Sequence, residues 1–265
     1  FVSSAKVISA ITLVSRILGL GRDMLCAYVF GAGEVMSAFT IGFQIPNLFR
    51  RLFGEGALSA SSIPVLSDKL HQEGREALDR LAGKLMGVLL TVLIAVAVIG
   101  ELVALGLGPA LVNTRRGWLT LGLTIVMLPY VVPICASAIL GGIQNILGQF
   151  AVPASNPIVL NVFEIAAMLL AGWLYAHDHV IQAYILAASV LVSGVFQLSW
   201  QWLNTRKCGL RLRPSLDTRD PSLRLIARTM IPMTIGLSVV QINALLDSFI
   251  AYWFVTSHPG GPAVL

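Results

Sequence analysis

Charge is the scarcest commodity in this sequence, with Asp, Glu, Lys and Arg making up 12% of its 265 residues against roughly 25% in an average soluble domain. With 56% hydrophobic residues and a mean hydropathy of +0.82, that scarcity excludes a soluble globule. Most of the chain belongs in hydrocarbon, where backbone groups must be satisfied inside helices or closed barrels. The apolar runs are continuous rather than alternating, so helices are expected. Cysteine is equally sparse: Cys26, Cys135 and Cys208 lie far apart, which excludes a disulfide framework and zinc-type spacing. Enzyme motifs are missing too. There is no P-loop pattern and no Asp-Asp-x-x-Asp, and all four histidines (His71, His177, His179, His258) fall outside the apolar runs. Gly19-Leu20-Gly21 has no third glycine at phosphate-loop spacing and serves helix packing. His177-Asp178-His179 is a short turn with no further ligand nearby. No enzymatic activity, metal, cofactor or nucleic-acid partner is expected.

At about 20 residues per crossing, spans are expected near 5–30, 35–66, 84–107, 118–147, 154–175, 180–203 and 228–255. The fold class is therefore all-α, a polytopic transmembrane bundle of about seven spans. The first segment carries charges and is too long for the apolar region of a signal peptide, so it reads as a retained span whose extreme N-terminus is trimmed. Pro153 and Pro157 divide the long uncharged stretch between Arg116 and Glu164, and Pro129 and Pro133 should bend the fourth helix. Lysine and arginine set the orientation. Lys6, the segment 67–84 and the segment 204–228 together hold twelve positives, whereas the opposite side holds only Arg115 and Arg116. That asymmetry places the N-terminus in the cytoplasm.

Four positives remain inside spans: Arg16 and Arg22 in the first, Arg50 and Arg51 in the second. Each costs roughly 2.5–3.5 kcal/mol near a helix centre, so each needs a partner or a function. Asp23 and Glu55 supply two negatives, which leaves a net positive charge facing a water-filled cavity. Residues seven apart share a helix face, so Ser15, Gly19 and Arg22 form one stripe, with Arg16 and Asp23 on a neighbouring one. Asn47, Arg50 and Arg51 share a polar face on the second span. Arg51 and Glu55 stand at i,i+4 and should partly neutralise each other, leaving Arg50 to bind a ligand. Glu101, Glu164 and Asp247 are isolated acids in apolar helices that either act in ion or proton coupling or only pair across helices, and Glu164, with Asn161 three residues before it, is the best candidate among them for coupling.

The ordered stretch Ser15-Arg16-Ile17-Leu18-Gly19-Leu20-Gly21-Arg22-Asp23, then Phe30-Gly31-Ala32-Gly33, then Ile45-Pro46-Asn47-Leu48-Phe49-Arg50-Arg51-Leu52-Phe53-Gly54-Glu55-Gly56-Ala57, resembles the N-terminal signature of the MurJ (MviN) lipid II flippases. The resemblance implies a two-lobed alternating-access transporter of the multidrug/oligosaccharidyl-lipid/polysaccharide exporter superfamily, in the bacterial cytoplasmic (inner) membrane. It carries diphosphate-linked lipid II from the inner to the outer leaflet. Residue by residue, the family's cavity arginines match Arg16, Arg22 and Arg50, with Ser15 and Asn47 as further substrate-binding positions. Asp23, Pro46, Arg51, Glu55 and Gly56 match its structural or gating elements. Two positions depart from the family pattern: Ser37 stands where an acid is often found, and Gln44 where a lysine is frequent.

By the same resemblance, 1–205 forms a six-helix lobe, 206–227 a basic cytoplasmic linker, and 228–265 the first helix of a second lobe whose remainder is missing. Expected partners are the lipid II diphosphate headgroup and polyprenyl tail, anionic membrane lipids at the basic linker, and the missing C-terminal lobe. One lobe alone should not flip lipid II. Two alternatives stay open at this point, an exporter of the same superfamily carrying another lipid-linked glycan or a drug, and a polyprenyl-diphosphate membrane enzyme.

Overall fold

The computed structural model describes residues 2–31 and 33–254, with no strand among them. The chain runs up and down as long helical rods. The first is α1 (Val2–Phe30) and the second is α2 (Glu34–Phe49) continued through a π-helical turn (Arg50–Gly56) into α3 (Ala57–Glu73). Then come α4 (Arg75–Leu111) and α5 (Arg115–Met127), the latter continued through a 3-10 turn (Leu128–Tyr130) into α6 (Val131–Ile146). The short α7 (Ala151–Ala154) leads into α8 (Asn156–Leu174), followed by α9 (His179–Lys207) and α10 (Pro221–Phe254). Among the described residues, five helical runs are long and apolar enough to cross a membrane: 75–110, 115–146, 151–174, 179–207 and 221–243. The rods 2–30 and 34–73, where two further spans are expected, are not among these five, and they carry Arg16, Arg22, Arg50 and Arg51.

The fourth rod is interrupted where a bend is expected. Pro129 and Pro133 lack the N–H groups that would continue the ladder, and the chain tightens into the 3-10 turn at Leu128-Pro129-Tyr130. The second rod is broken as well. Pro46 removes a donor from α2, and the turn that follows widens over Arg50–Gly56 before α3 begins. Gly56 permits this return, because a Cβ there would lie 2.7 Å from both the Arg51 carbonyl oxygen and Leu237 Cδ1.

α8 packs along both α1 and α9, α6 packs on α9 and α4, α2 lies on α5, and α10 leans on α3 and the π turn. Outward faces remain apolar, as at Leu13, Ile17 and Leu20 on α1, Ile99 and Leu102 on α4, and Leu169 and Trp173 on α8. These faces suit lipid. The interior is closed by Met86, Leu123, Met127, Ile139, Leu140 and Leu186, and by Tyr130, whose ring occupies the space left by Gly194.

Two expected boundaries shift. The basic segment 67–84 is not a loop: Gly74, at φ 84°, ends α3, and α4 starts immediately after it. Ala77, Leu78, Leu81 and Ala82 are buried there, so this turn of α4 is held by packing despite its charges. The linker is also shorter than 206–227. Pro221 occupies the first helical position and the Asp220 carboxylate accepts from the Ser222 N–H at 2.9 Å, a start signal that places Arg224 and Arg228 on α10.

Residues 208–220 are strapped onto α4. A Cβ on Gly83 would lie 2.5 Å from the Arg213 carbonyl oxygen, and one on Gly87 2.6 Å from the Ser215 nitrogen. The Ser215 N–H donates to the Gly83 carbonyl at 3.3 Å. Lys84 Nζ, between the two glycines, reaches Asp217 at 2.9 Å and Asp220 at 3.1 Å. The Lys84 ammonium holds the Asp217 carboxyl below its ordinary value. Desolvation works the other way at Asp220, but the Ser222 N–H and Lys84 bring it below the ordinary value too. Gly87→Ala sets a methyl against backbone that no rotamer change can move. It is expected to lower stability by about 1–3 kcal/mol and to raise hydrogen exchange over 209–220, readable in a thermal melt and by mass spectrometry.

Candidate functional site

A cavity of 660 Å³ lies between α1, α2, α3, α6, α8 and α9. Arg22 from α1 and Asn47 and Arg50 from the second rod meet in its wall, together with Tyr130, Asn161 and Gln197. It extends from these residues toward Asn145, Pro153 and Asn156, the end of the bundle where the basic α3–α4 and α9–α10 turns lie. Among the described residues, the arginines in this wall are Arg22 and Arg50, and no acid lines it.

The two arginines are held differently. Arg22 Nη1 donates to Glu164 Oε2 at 3.0 Å, while its Nε and Nη2 both reach Asp23 Oδ1, at 3.0 and 2.7 Å. Glu164 is buried on α8, its side chain 3% exposed, whereas that of Asp23 is 64% exposed. A buried carboxylate thus anchors Arg22 from behind, and an exposed one flanks it. Arg50 Nε donates to Asn47 Oδ1 at 3.0 Å, a local contact that orients the guanidinium.

Other expected residues lie elsewhere. Arg16 is exposed and outside the cavity wall, because six residues along an α-helix turn it about 240° away from Arg22. Ser15 does share the face of Arg22, but two turns away. It contributes its backbone, the carbonyl accepting from Asn161 Nδ2 at 3.1 Å, and Gly19 between them faces the same Asn161. Asp23 pairs with Arg22 and not with the Arg16 stripe. Arg51 is exposed, its Nη1 3.3 Å from Gln241 Oε1 on α10, and the Glu55 side chain expected beside it lies outside the described residues. Pro46 is buried at the start of the break. Ser37 is buried with its hydroxyl donating to the Gly33 carbonyl at 3.0 Å.

Asp178 caps α9, accepting from the N–H groups of Val180 and Ile181 at 3.0 Å, and no metal-type cluster occurs among the described residues. Sequence reasoning missed Gln197 and Gln201. Their signal was an i,i+4 pair of amides on one face of an otherwise apolar helix.

Around a polar cavity, the described residues form an up-and-down helical bundle. Two solved structures share it: an inward-facing MATE-family multidrug transporter (TM-score 0.67, 15% identity, 98% of this chain and 59% of that one) and a lipid II flippase MurJ in an inward closed conformation (TM-score 0.73, 22% identity, 93% of this chain and 50% of that one). The chain belongs to the lipid II flippase MurJ family, whose sequence profile matches residues 26–265. A probable lipid II flippase MurJ of Vibrio cholerae is 36% identical over 271 residues, covering 96% of this chain and 50% of the relative. The lipid II flippase MurJ of Burkholderia cenocepacia is 32% identical over 254 residues, covering 92% and 48%. The chain spans about half the length of the curated relatives it matches.

Proposed function

We propose that this chain is the N-terminal part of a lipid II flippase and that Arg22, Asn47 and Arg50 receive the diphosphate of the lipid-linked precursor. The observation that carries the reading is the convergence of two arginines from separate rods on one cavity in an apolar bundle. Phosphate oxygens suit guanidinium groups, which bind them in bidentate fashion through charge-assisted hydrogen bonds. Asn47 contributes by fixing Arg50, and Glu164 by fixing Arg22.

The cavity reaches the end of the bundle that carries the basic turns, and positive residues favour the cytoplasmic side. We therefore read the access as cytoplasmic, the N-terminus as cytoplasmic, and the host as the bacterial inner membrane. Transport by alternating access places such a site at the interface of two repeats, with the remaining wall supplied by a C-terminal lobe. Anionic headgroups are the expected neighbours of the arginines at 206–228. Ser15 acts through its backbone on the α1–α8 contact. Pro46 and Gly56 shape the break in the second rod, Arg51 reaches α10 from it, and Arg16 lies outside the cavity wall.

The test is complementation. The full-length gene, expressed in cells depleted of their own lipid II flippase, is expected to restore growth and outer-leaflet lipid II. Failure at normal membrane abundance would overturn the assignment.

A further inference from the structure

The cavity wall formed by α6, α8 and α9 carries a different chemistry from the arginine side: it is uncharged but rich in polar groups. Gln197 is 1% exposed, yet neither its Nε2 nor its Oε1 has a hydrogen-bond partner among the described residues. The same holds for Gln201 Nε2, Ser137 Oγ and Asn156 Oδ1. All four residues line the cavity. Outside it, the same pair of helices satisfies its amides. Gln144 donates to the Gln201 carbonyl and to Thr205 Oγ1, each at 2.9 Å, and accepts from Asn204 at 2.8 Å. Among the described residues, the unpartnered groups of α6, α8 and α9 are therefore gathered at the cavity, where apolar side chains of equal size would carry no desolvation penalty.

We propose that Gln197, with Gln201, Ser137 and Asn156, forms a subsite for the uncharged, hydroxyl- and amide-bearing sugar–peptide part of the headgroup, across the cavity from the arginines that take the diphosphate. The inference rests on the diphosphate-lipid reading of the cavity. A primary amide offers two donors and an acceptor with two lone pairs, which matches a sugar hydroxyl pair or an acetamido group. A bare lipid diphosphate leaves these groups unpaired, and a site built to hydrogen-bond a ligand discriminates strongly against one that lacks the matching groups.

The experiment measures binding to the full-length protein in nanodiscs with two probes, lipid II and undecaprenyl diphosphate. Gln197→Leu is expected to weaken lipid II binding about tenfold, to leave undecaprenyl diphosphate binding unchanged, and to leave the Tm unchanged or raised, since an unpartnered interior amide is removed. A merely structural glutamine would instead lower the Tm and weaken both probes alike. Either that pattern or unaltered binding of both probes would overturn the subsite. Ser137→Ala, which deletes one hydroxyl, is expected to discriminate in the same direction to a smaller extent, and it carries the test if the leucine variant does not fold. Arg50→Ala isolates the underlying reading. Weakening of both probes supports it, whereas unchanged affinity for both overturns it and the subsite together.

Discussion

Arg50→Ala in the full-length protein is expected to abolish lipid II translocation while the protein still inserts. The guanidinium stands in the cavity wall, oriented by Asn47 at 3.0 Å. Each charge-assisted hydrogen bond it makes to phosphate contributes about 1.5–3 kcal/mol, and every 1.4 kcal/mol is about tenfold in affinity. Losing a bidentate pair therefore costs two to four orders of magnitude on these approximate figures. Arg50→Lys is expected to recover little, because an ammonium keeps the charge but not the planar fork. Outer-leaflet lipid II in depleted cells, at matched expression, measures this. A normal level in the alanine variant would remove Arg50 from the transport site.

The second large effect separates structure from transport at Arg22. Removing one member of a buried pair leaves the other charge stranded, at about 3–5 kcal/mol. Glu164 is the buried member, and Arg22 is the cation that reaches it, at 3.0 Å. Arg22→Ala is therefore expected to lower stability by about 3 kcal/mol as well as to eliminate transport. Adding Glu164→Gln neutralises the stranded carboxylate and is expected to restore most of the stability. Transport should stay absent, since the phosphate still lacks its guanidinium. Melting temperature and translocation measured on the two variants give the answer. If the double mutant regains transport, Arg22 only shields Glu164. If it remains as unstable as the single mutant, the α1–α8 pair is not what holds Arg22.

Much of this arrangement was legible in the sequence because intramembrane charge is conspicuous. Arg22 and Arg50 stand out in apolar runs, and the prolines at 129 and 133 mark the place where the fourth rod is interrupted, whereas the second span is expected to run unbroken through Pro46. Glu164 was visible as an isolated acid. Its pairing with a residue 142 positions earlier depends on how α1 and α8 pack, which periodicity along one helix does not encode. Arg16 lies outside the cavity wall: a motif groups it with Arg22, but helical rotation turns it to a different, exposed face of α1. The amide wall escaped notice because glutamines carry no charge, and the strap on α4 because glycines give no pattern until the backbone they admit is seen.

That strap bears on mechanics. Left free, the thirteen residues between Lys207 and Pro221 would behave as a leash with a reach of about 20 Å, and α10 would drift independently of the bundle. Pinned by the Gly83–Ser215 bond and by Lys84 on Asp217 and Asp220, the leash has no slack. The root of α10 is fixed to α4 as a bracket is fixed to a post, so displacement of one is delivered to the other without loss along the loop.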